Sequence, residues 1–224
     1  MTITTVPRII PAQPNKPVLD NVSELQAFAR AIAVDGVWTA DIARATASMF
    51  DGMAATWNTQ HSTNRFDTVR DALRRGQIPV GGRCLEVGSG TGQITPLLTD
   101  HFDEVFSVDL SIVMLTQAAS CTSFRICCDA ARLPLCDHAF DAAVLVDTFC
   151  FAHELARVLK DRGHIVWINL LGPDGPLFVP ATDIASALPG AWTGTESTAG
   201  WGSWSVLSAT SVASPSPPAS TPSP

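Results

Sequence analysis

Residues Arg83–Thr95 read RCLEVGSGTGQIT, and this stretch decides the fold. An apolar run stops at Gly88, glycines follow at positions 90 and 92, and the chain then resumes in a helical pattern. Glycine lets a backbone turn tightly and approach a ligand closely, so the stretch reads as a strand, a bare turn and a helix start. Outward from it, RCLEVG, EVFSVDL, FRICCD, FDAAVLVD and HIVWINLL are short, β-rich apolar runs. ITPLLTDHF, SIVMLTQAA and AHELARVLK separate them. Strands apolar on both faces that alternate with helices predict an α/β, doubly wound, Rossmann-like sheet, mostly parallel. The strand before the glycine turn then lies near the middle, beside the fourth.

The flanks differ in character. Residues 1–20 carry prolines at 7, 11, 14 and 17 and read as an extended N-terminal arm. Residues 21–80 form an N-terminal helical region. Ser23 and Gln26 give a capping-box signature for its first helix, and Ile42, Met49, Phe50, Met53 and Trp57 give a stripe for its second. Phe66, Val69 and Leu73 repeat at helical spacing in a third helix, with Asn64 as its cap. Residues 81–209 form the sheet domain. A short helix in ATDIASALP precedes an antiparallel hairpin that turns at Gly200–Gly202. Residues 210–224, Ser/Pro-rich, read as a disordered tail.

With 46% hydrophobic residues in 224, the chain has material for a sizeable core. A net charge of −7 argues against a nucleic-acid partner, whose phosphates need clustered Lys and Arg. The one basic cluster, RDALRR (70–75), reads as a solvated helix face. The six cysteines form no CxxC pair, and no histidine stands at zinc-ligand spacing from them; Cys84 and Cys150 read as buried thiols. No signal-peptide pattern and no membrane-length apolar run is present, which points to a reduced, cytoplasmic protein with no membrane partner. The sequence leaves the oligomeric state open.

The turn indicates what it binds. A nicotinamide fingerprint, G-x-G-x-x-G, requires glycine at 93, where the chain has Gln93. Glu86 also stands two residues before Gly88, and a carboxylate there suits a cationic group better than a pyrophosphate. Asp109 follows about 20 residues on, at a strand end, where an acid accepts from both ribose hydroxyls; it can also cap the helix near Ser111. Asp129 and Ala130 end the third strand, where a carboxylate and the next backbone N–H suit an adenine edge. Asp147 closes the fourth.

These four markers resemble the class I S-adenosylmethionine-dependent methyltransferases. LEVGSGTGQIT, SVDLSIVML, CDAARLPL and FDAAVLVDT look like the family's first four motifs, in order. ELARVLKDRGHIVWI looks like the helix and strand that follow, with Lys160-Asp161-Arg162-Gly163 lacking the family's usual proline. The resemblance implies a seven-stranded sheet with an antiparallel last strand, S-adenosylmethionine as cofactor, and a helix around FDGMAATWNTQH laid over it. It implies cofactor contacts from Glu86, Gly88, Ser89, Gly90, Gly92, Asp109, Leu110, Asp129, Ala130 and Asp147.

The expected chemistry is metal-free, in-line methyl transfer to a small organic acceptor, on oxygen. Asp147, His153 and His61 are the candidate general bases. Asp147-Thr148-Phe149-Cys150 is not the Asn-Pro-Pro-Tyr of enzymes that methylate amide or amine nitrogens in DNA and proteins. Trp57, Phe149, Phe151, Trp192 and Trp201 are candidate linings of an apolar acceptor pocket. The alternatives are a non-catalytic S-adenosylmethionine-binding regulatory or partner protein and a nicotinamide oxidoreductase.

Overall fold

The structure, a computed structural model, describes residues 1–59, 65–118 and 124–210. The chain runs β1 (Thr2–Thr5), α1 (Val22–Asp35), α2 (Ala40–Trp57), α3 (Arg65–Arg75), β2 (Arg83–Val87), α4 (Thr95–Thr99), β3 (Glu104–Asp109) and α5 (Ile112–Gln117). It continues with β4 (Phe124–Cys127), β5 (Phe140–Val146), α6 (Ala152–Val158), β6 (Leu159–Asn169), α7 (Ala181–Ala187), β7 (Trp192–Ala199) and β8 (Gly202–Ala209). Among the described residues the strands form one sheet in the order β1-β7-β8-β6-β5-β2-β3-β4. β2 pairs in parallel with both β3 and β5, which places the glycine turn at the point where the strand order reverses. β8 runs antiparallel to β6 and β7, as the hairpin at Gly200 predicts.

Both faces of the central strands are buried because the residues alternate. Ala143 and Leu145 of β5 pack with Leu85, Val87, Ile165 and Trp167, under α1, α6 and α7. Ala142 and Val144 pack with Cys84, Val166 and Ile168, under α3 and α4. A near-continuous apolar run is what a parallel strand covered on both sides requires. Cys84 and Cys150 are buried as expected, and burial pushes the Cys150 thiol up to about 12.

The flanks depart from expectation in instructive ways. The 1–20 arm is extended but not free. Thr2–Thr5 pairs in parallel with β7, giving eight strands among the described residues where the family resemblance implies seven. Beyond it, Arg75 donates to Pro7 O at 2.7 Å, and Trp201 Nε1 donates to Gln13 O at 2.7 Å. No capping box opens α1: its N-cap is Asn21, and Gln26 instead donates to the carbonyls of Pro173 and Gly175, both at 2.8 Å. The RDALRR segment is not simply a solvated face. Asp71 is buried, accepting from Trp204 Nε1 at 2.7 Å and from Arg75 at 3.0 Å. Met49 is exposed, and α2 buries Ala43 and Ala54 instead. Asn64 lies outside the described residues.

Candidate functional site

The carboxyl ends of β2, β3 and β5, together with α2 and the link before it, enclose a cleft of about 120 Å³. Its floor is the glycine turn. Gly88, Gly90 and Gly92 all have positive φ (67°, 54° and 73°), a region open to glycine and strained for most other residues. Their surroundings separate them. A Cβ on Gly88 would lie 2.3 Å from Thr148 Oγ1, so packing against the β5 loop demands that glycine. A Cβ on Gly90 would meet nothing nearer than Trp57 Nε1 at 3.9 Å, so Gly90 faces the open cleft. Gly92 does not line the cleft, contrary to the sequence reading. It shapes the turn, donating to Ser89 O at 2.9 Å, and lies against Ala118.

Glu86 is buried at the base of the cleft, and its Oε2 accepts from Ser107 Oγ at 2.6 Å and Thr95 Oγ1 at 2.8 Å. Burial outweighs those two hydroxyls and pushes its carboxyl up to about 7. Asp109 holds both walls of its corner: Oδ2 accepts from Gly90 N at 2.7 Å and Oδ1 from Ser111 N at 2.8 Å. Burial also raises its pKa, against the lowering by those backbone donors. Ser111 itself caps α5, its Oγ accepting from Met114 N at 3.0 Å. Leu110, Ser89, Asp129 and Ala130 line the cleft. Asp129 Oδ1 accepts from Ala131 N at 2.9 Å.

The three candidate bases part company. Asp147 lines the cleft in a left-handed conformation (φ 46°), with Oδ1 accepting from Leu170 N at 3.0 Å. His153 is exposed on α6 and is not part of the cleft wall, because the first turn of α6 points it outward. His61 lies outside the described residues. Trp57, Phe149 and Phe151 line the cleft. Trp192 and Trp201 do not: Trp192 is buried in the core and donates to Pro189 O, and Trp201 ties the N-terminal arm. Among the described residues no cluster of His, Cys, Asp or Glu is arranged to hold a metal ion.

Sequence reasoning missed the far wall. Trp38 Nε1 donates to both Asp129 oxygens, at 2.9 and 3.1 Å. Asn58 Oδ1 accepts from Gln93 Nε2 at 2.7 Å and from Thr91 Oγ1, pinning the end of α2 to the glycine turn. Ser111 Oγ donates to Asp51, pinning its middle. No periodicity or spacing marks these residues, because each bond joins a single polar atom to a partner far away in sequence.

Residues 85–167 match a family described as a methyltransferase domain. The chain is 32% identical over 146 residues to a demethylmenaquinone methyltransferase of Mycolicibacterium paratuberculosis, covering 60% of this chain and 64% of that one. It is 30% identical over 149 residues to one of Mycobacterium tuberculosis, covering 62% and 64%. The chain therefore spans just under two thirds of the length of these curated relatives. The fold is similar to that of the DhpI–SAH complex, at a TM-score of 0.61 and 17% identity over 76% of this chain and 98% of that one. It is also similar to a SAM-dependent methyltransferase from Aquifex aeolicus, at a TM-score of 0.57 and 19% identity over 69% and 97%. The strand order and the glycine turn at its reversal point give the chain the Rossmann-like fold of these S-adenosylmethionine-dependent methyltransferase structures, and residues 85–167 match a methyltransferase domain.

Proposed function

We propose that the protein transfers the methyl group of S-adenosylmethionine to a small, flat, largely apolar acceptor. The observation that carries this reading is the cleft's composition: a glycine turn and the carboxylates of Glu86, Asp109, Asp129 and Asp147, together with the aromatic rings of Trp57, Phe149 and Phe151. The residues present fit the cofactor. Gly90 leaves the space of a side chain open toward the cleft, and Ser89 Oγ is buried with no hydrogen-bond partner among the described residues. Glu86, Asp109 and Asp129 would hold the amino-acid, ribose and adenine portions, with Gly88, Ser89, Gly90, Leu110 and Ala130 along their length. When bound, the cofactor supplies an activated methyl group on a sulfonium leaving group.

The chain's own contribution is orientation and exclusion of water. The aromatic residues offer a dry surface for a planar acceptor. That the similar mycobacterial proteins are named demethylmenaquinone methyltransferases supports an acceptor with a flat ring system. Of the two candidate bases among the described residues, Asp147 lines the cleft and His153 does not, and Asp147 would take the proton of an acceptor hydroxyl. In this reading the methyl group goes to oxygen and the step draws on no metal.

The test combines binding with turnover. S-adenosylhomocysteine at 100 times its dissociation constant should stabilise the fold by about 2.7 kcal/mol. Incubation with S-adenosylmethionine and a panel of hydroxylated aromatic acceptors should yield S-adenosylhomocysteine and an O-methylated product. Binding without turnover of any acceptor would favour a non-catalytic partner protein, and a methyl found on carbon would overturn the oxygen assignment.

A further inference from the structure

The cleft wall nearest Asp129 is a single side chain that stands where a ligand ring is expected. Trp38 lies in the link between α1 and α2. Its ring centroid is 5.1 Å from that of Phe151 and 5.7 Å from that of Phe149, and Phe28 of α1 meets Phe149 edge-on at 5.7 Å. Its N–H is given to the Asp129 carboxylate, whose Oδ1 also accepts from Ala131 N. An indole is flat, apolar and carries one ring N–H donor. To a carboxylate at the edge of an aromatic slot it offers what the amine-bearing edge of an adenine offers. A second observation is independent of this contact. The cleft's volume of about 120 Å³ is well below the roughly 300–1,000 Å³ of small-molecule sites, so movement of part of the wall would make room for an adenosyl group.

We propose that Trp38 occupies the adenine subsite as an internal stand-in, and that cofactor binding exchanges adenine for indole on Asp129. Trp38 is then a determinant of cofactor affinity. The inference rests on the cofactor reading above. The link is built for such an exchange. Gly36 ends α1 in a left-handed conformation (φ 68°), with open space around its Cα, and Thr39 Oγ1 starts α2 by accepting from Ile42 N. Movement of the two residues between these caps requires neither helix to unwind. A site populated in its open form only part of the time binds more weakly by that fraction.

The experiment uses the full chain labelled with 15N, with S-adenosylhomocysteine and adenosine as separate probes. The indole N–H resonance that Trp38→Phe removes identifies Trp38. In the wild-type protein that resonance should shift on titration with either probe. By calorimetry, Trp38→Phe, which keeps a ring but gives up the bond to Asp129, should bind both probes about five- to tenfold more tightly. An unmoved Trp38 resonance, or affinity in Trp38→Phe equal to or below wild type, overturns the exchange and leaves Trp38 a fixed wall, with the cofactor reading intact. Failure of S-adenosylhomocysteine to bind either protein removes the cofactor reading, and this inference with it.

Discussion

The two walls of the cleft are built by different means. The floor, from Glu86 to Gln93 with Asp109, is made of backbone: glycines with positive φ, and a carboxylate that holds two peptide N–H groups. The cover, from Trp38 to Asn58, is made of side chains that reach across: Trp38 to Asp129, Asp51 to Ser111, and Asn58 to Thr91 and Gln93. A floor of this kind cannot yield without breaking the turn. A cover of this kind yields one hydrogen bond at a time, each contributing about 1 kcal/mol between neutral groups and about 1.5–3 kcal/mol to a carboxylate. Damage to the floor should therefore abolish ligand binding or the fold, whereas damage to the cover should change affinity by modest factors.

The sharpest break comes from the two glycines two residues apart. Gly90→Val should fold and lose all measurable binding of S-adenosylhomocysteine, because the new side chain fills the cleft; left-handed strain costs about 1–2 kcal/mol. Gly88→Ala should instead lose fold stability, because its Cβ is driven into Thr148, adding an overpacking cost of about 1–3 kcal/mol. Thermal melts with and without ligand check both. If Gly90→Val retains its ligand-induced shift, the floor faces something other than the cofactor.

Asp109→Ala comes next. It removes a carboxylate that would grip the ribose and that anchors Gly90 N–H and Ser111 N–H. Hydrogen bonds to charged groups contribute about 1.5–3 kcal/mol each, so the combined, non-additive loss should lower S-adenosylhomocysteine affinity roughly 30- to 1000-fold. Asp109→Asn should lose less, since its amide oxygen still accepts. Calorimetry on the folded variants decides, and a change within threefold for Asp109→Ala would reduce Asp109 to a structural cap.

These two walls also differ in how far the sequence exposes them. The strand order around β2, the three positive-φ glycines and the acids at strand ends are all legible, because each is imposed by backbone geometry at a fixed spacing. The double duty of Asp109 is legible for the same reason: a carboxylate two residues before a helix start has a backbone donor within reach. Asn58 and Trp38 are not legible, because nothing local distinguishes a polar atom that finds a partner 33 or 91 residues away. Trp192 and Trp201 misled for the converse reason. An aromatic residue serves equally well in a core, on a strap or in a pocket, and only tertiary placement separates those uses. The eighth strand was hidden because prolines dominate the arm, while the pairing itself uses only Thr2–Thr5.

A smaller effect concerns Glu86 and pH. Its carboxyl is raised from 4.5 to about 7 in the fold, chiefly by burial. The unfolded chain ionises first, so this group's contribution to stability falls as pH rises from about 4.5 to about 7, by on the order of 3 kcal/mol, and is level above. Ligand binding takes the opposite sign. A cationic amino group favours the ionised carboxylate, so affinity for S-adenosylhomocysteine should rise about tenfold from pH 6 to pH 8 as Glu86 gives up its proton. Glu86→Gln should flatten that rise and remove the matching decline in stability. A pH dependence that survives the substitution would assign it to Asp109, whose pKa is raised as well.

The smallest expected effect tests the cover itself. Asn58 Oδ1 accepts from Thr91 Oγ1 and Gln93 Nε2, joining the carboxyl end of α2 to the glycine turn. Asn58→Ala removes that acceptor. Thr91 is buried and then loses this partner, while the exposed amide of Gln93 turns to water. The net cost is one buried hydrogen bond, about 1 kcal/mol, which for a chain of this size lowers the melting temperature by about 2–4 °C. Neither the glycine φ angles nor the strand-end acids depend on this bond, so equilibrium affinity for S-adenosylhomocysteine should stay within about threefold of wild type. Rates should change more than affinity, because opening the cover precedes both entry and exit. Stopped-flow tryptophan fluorescence should therefore show association and dissociation accelerated together. A loss of affinity beyond tenfold with unchanged rates of entry would mean that the end of α2 touches the ligand directly, and the cover would then belong with the floor.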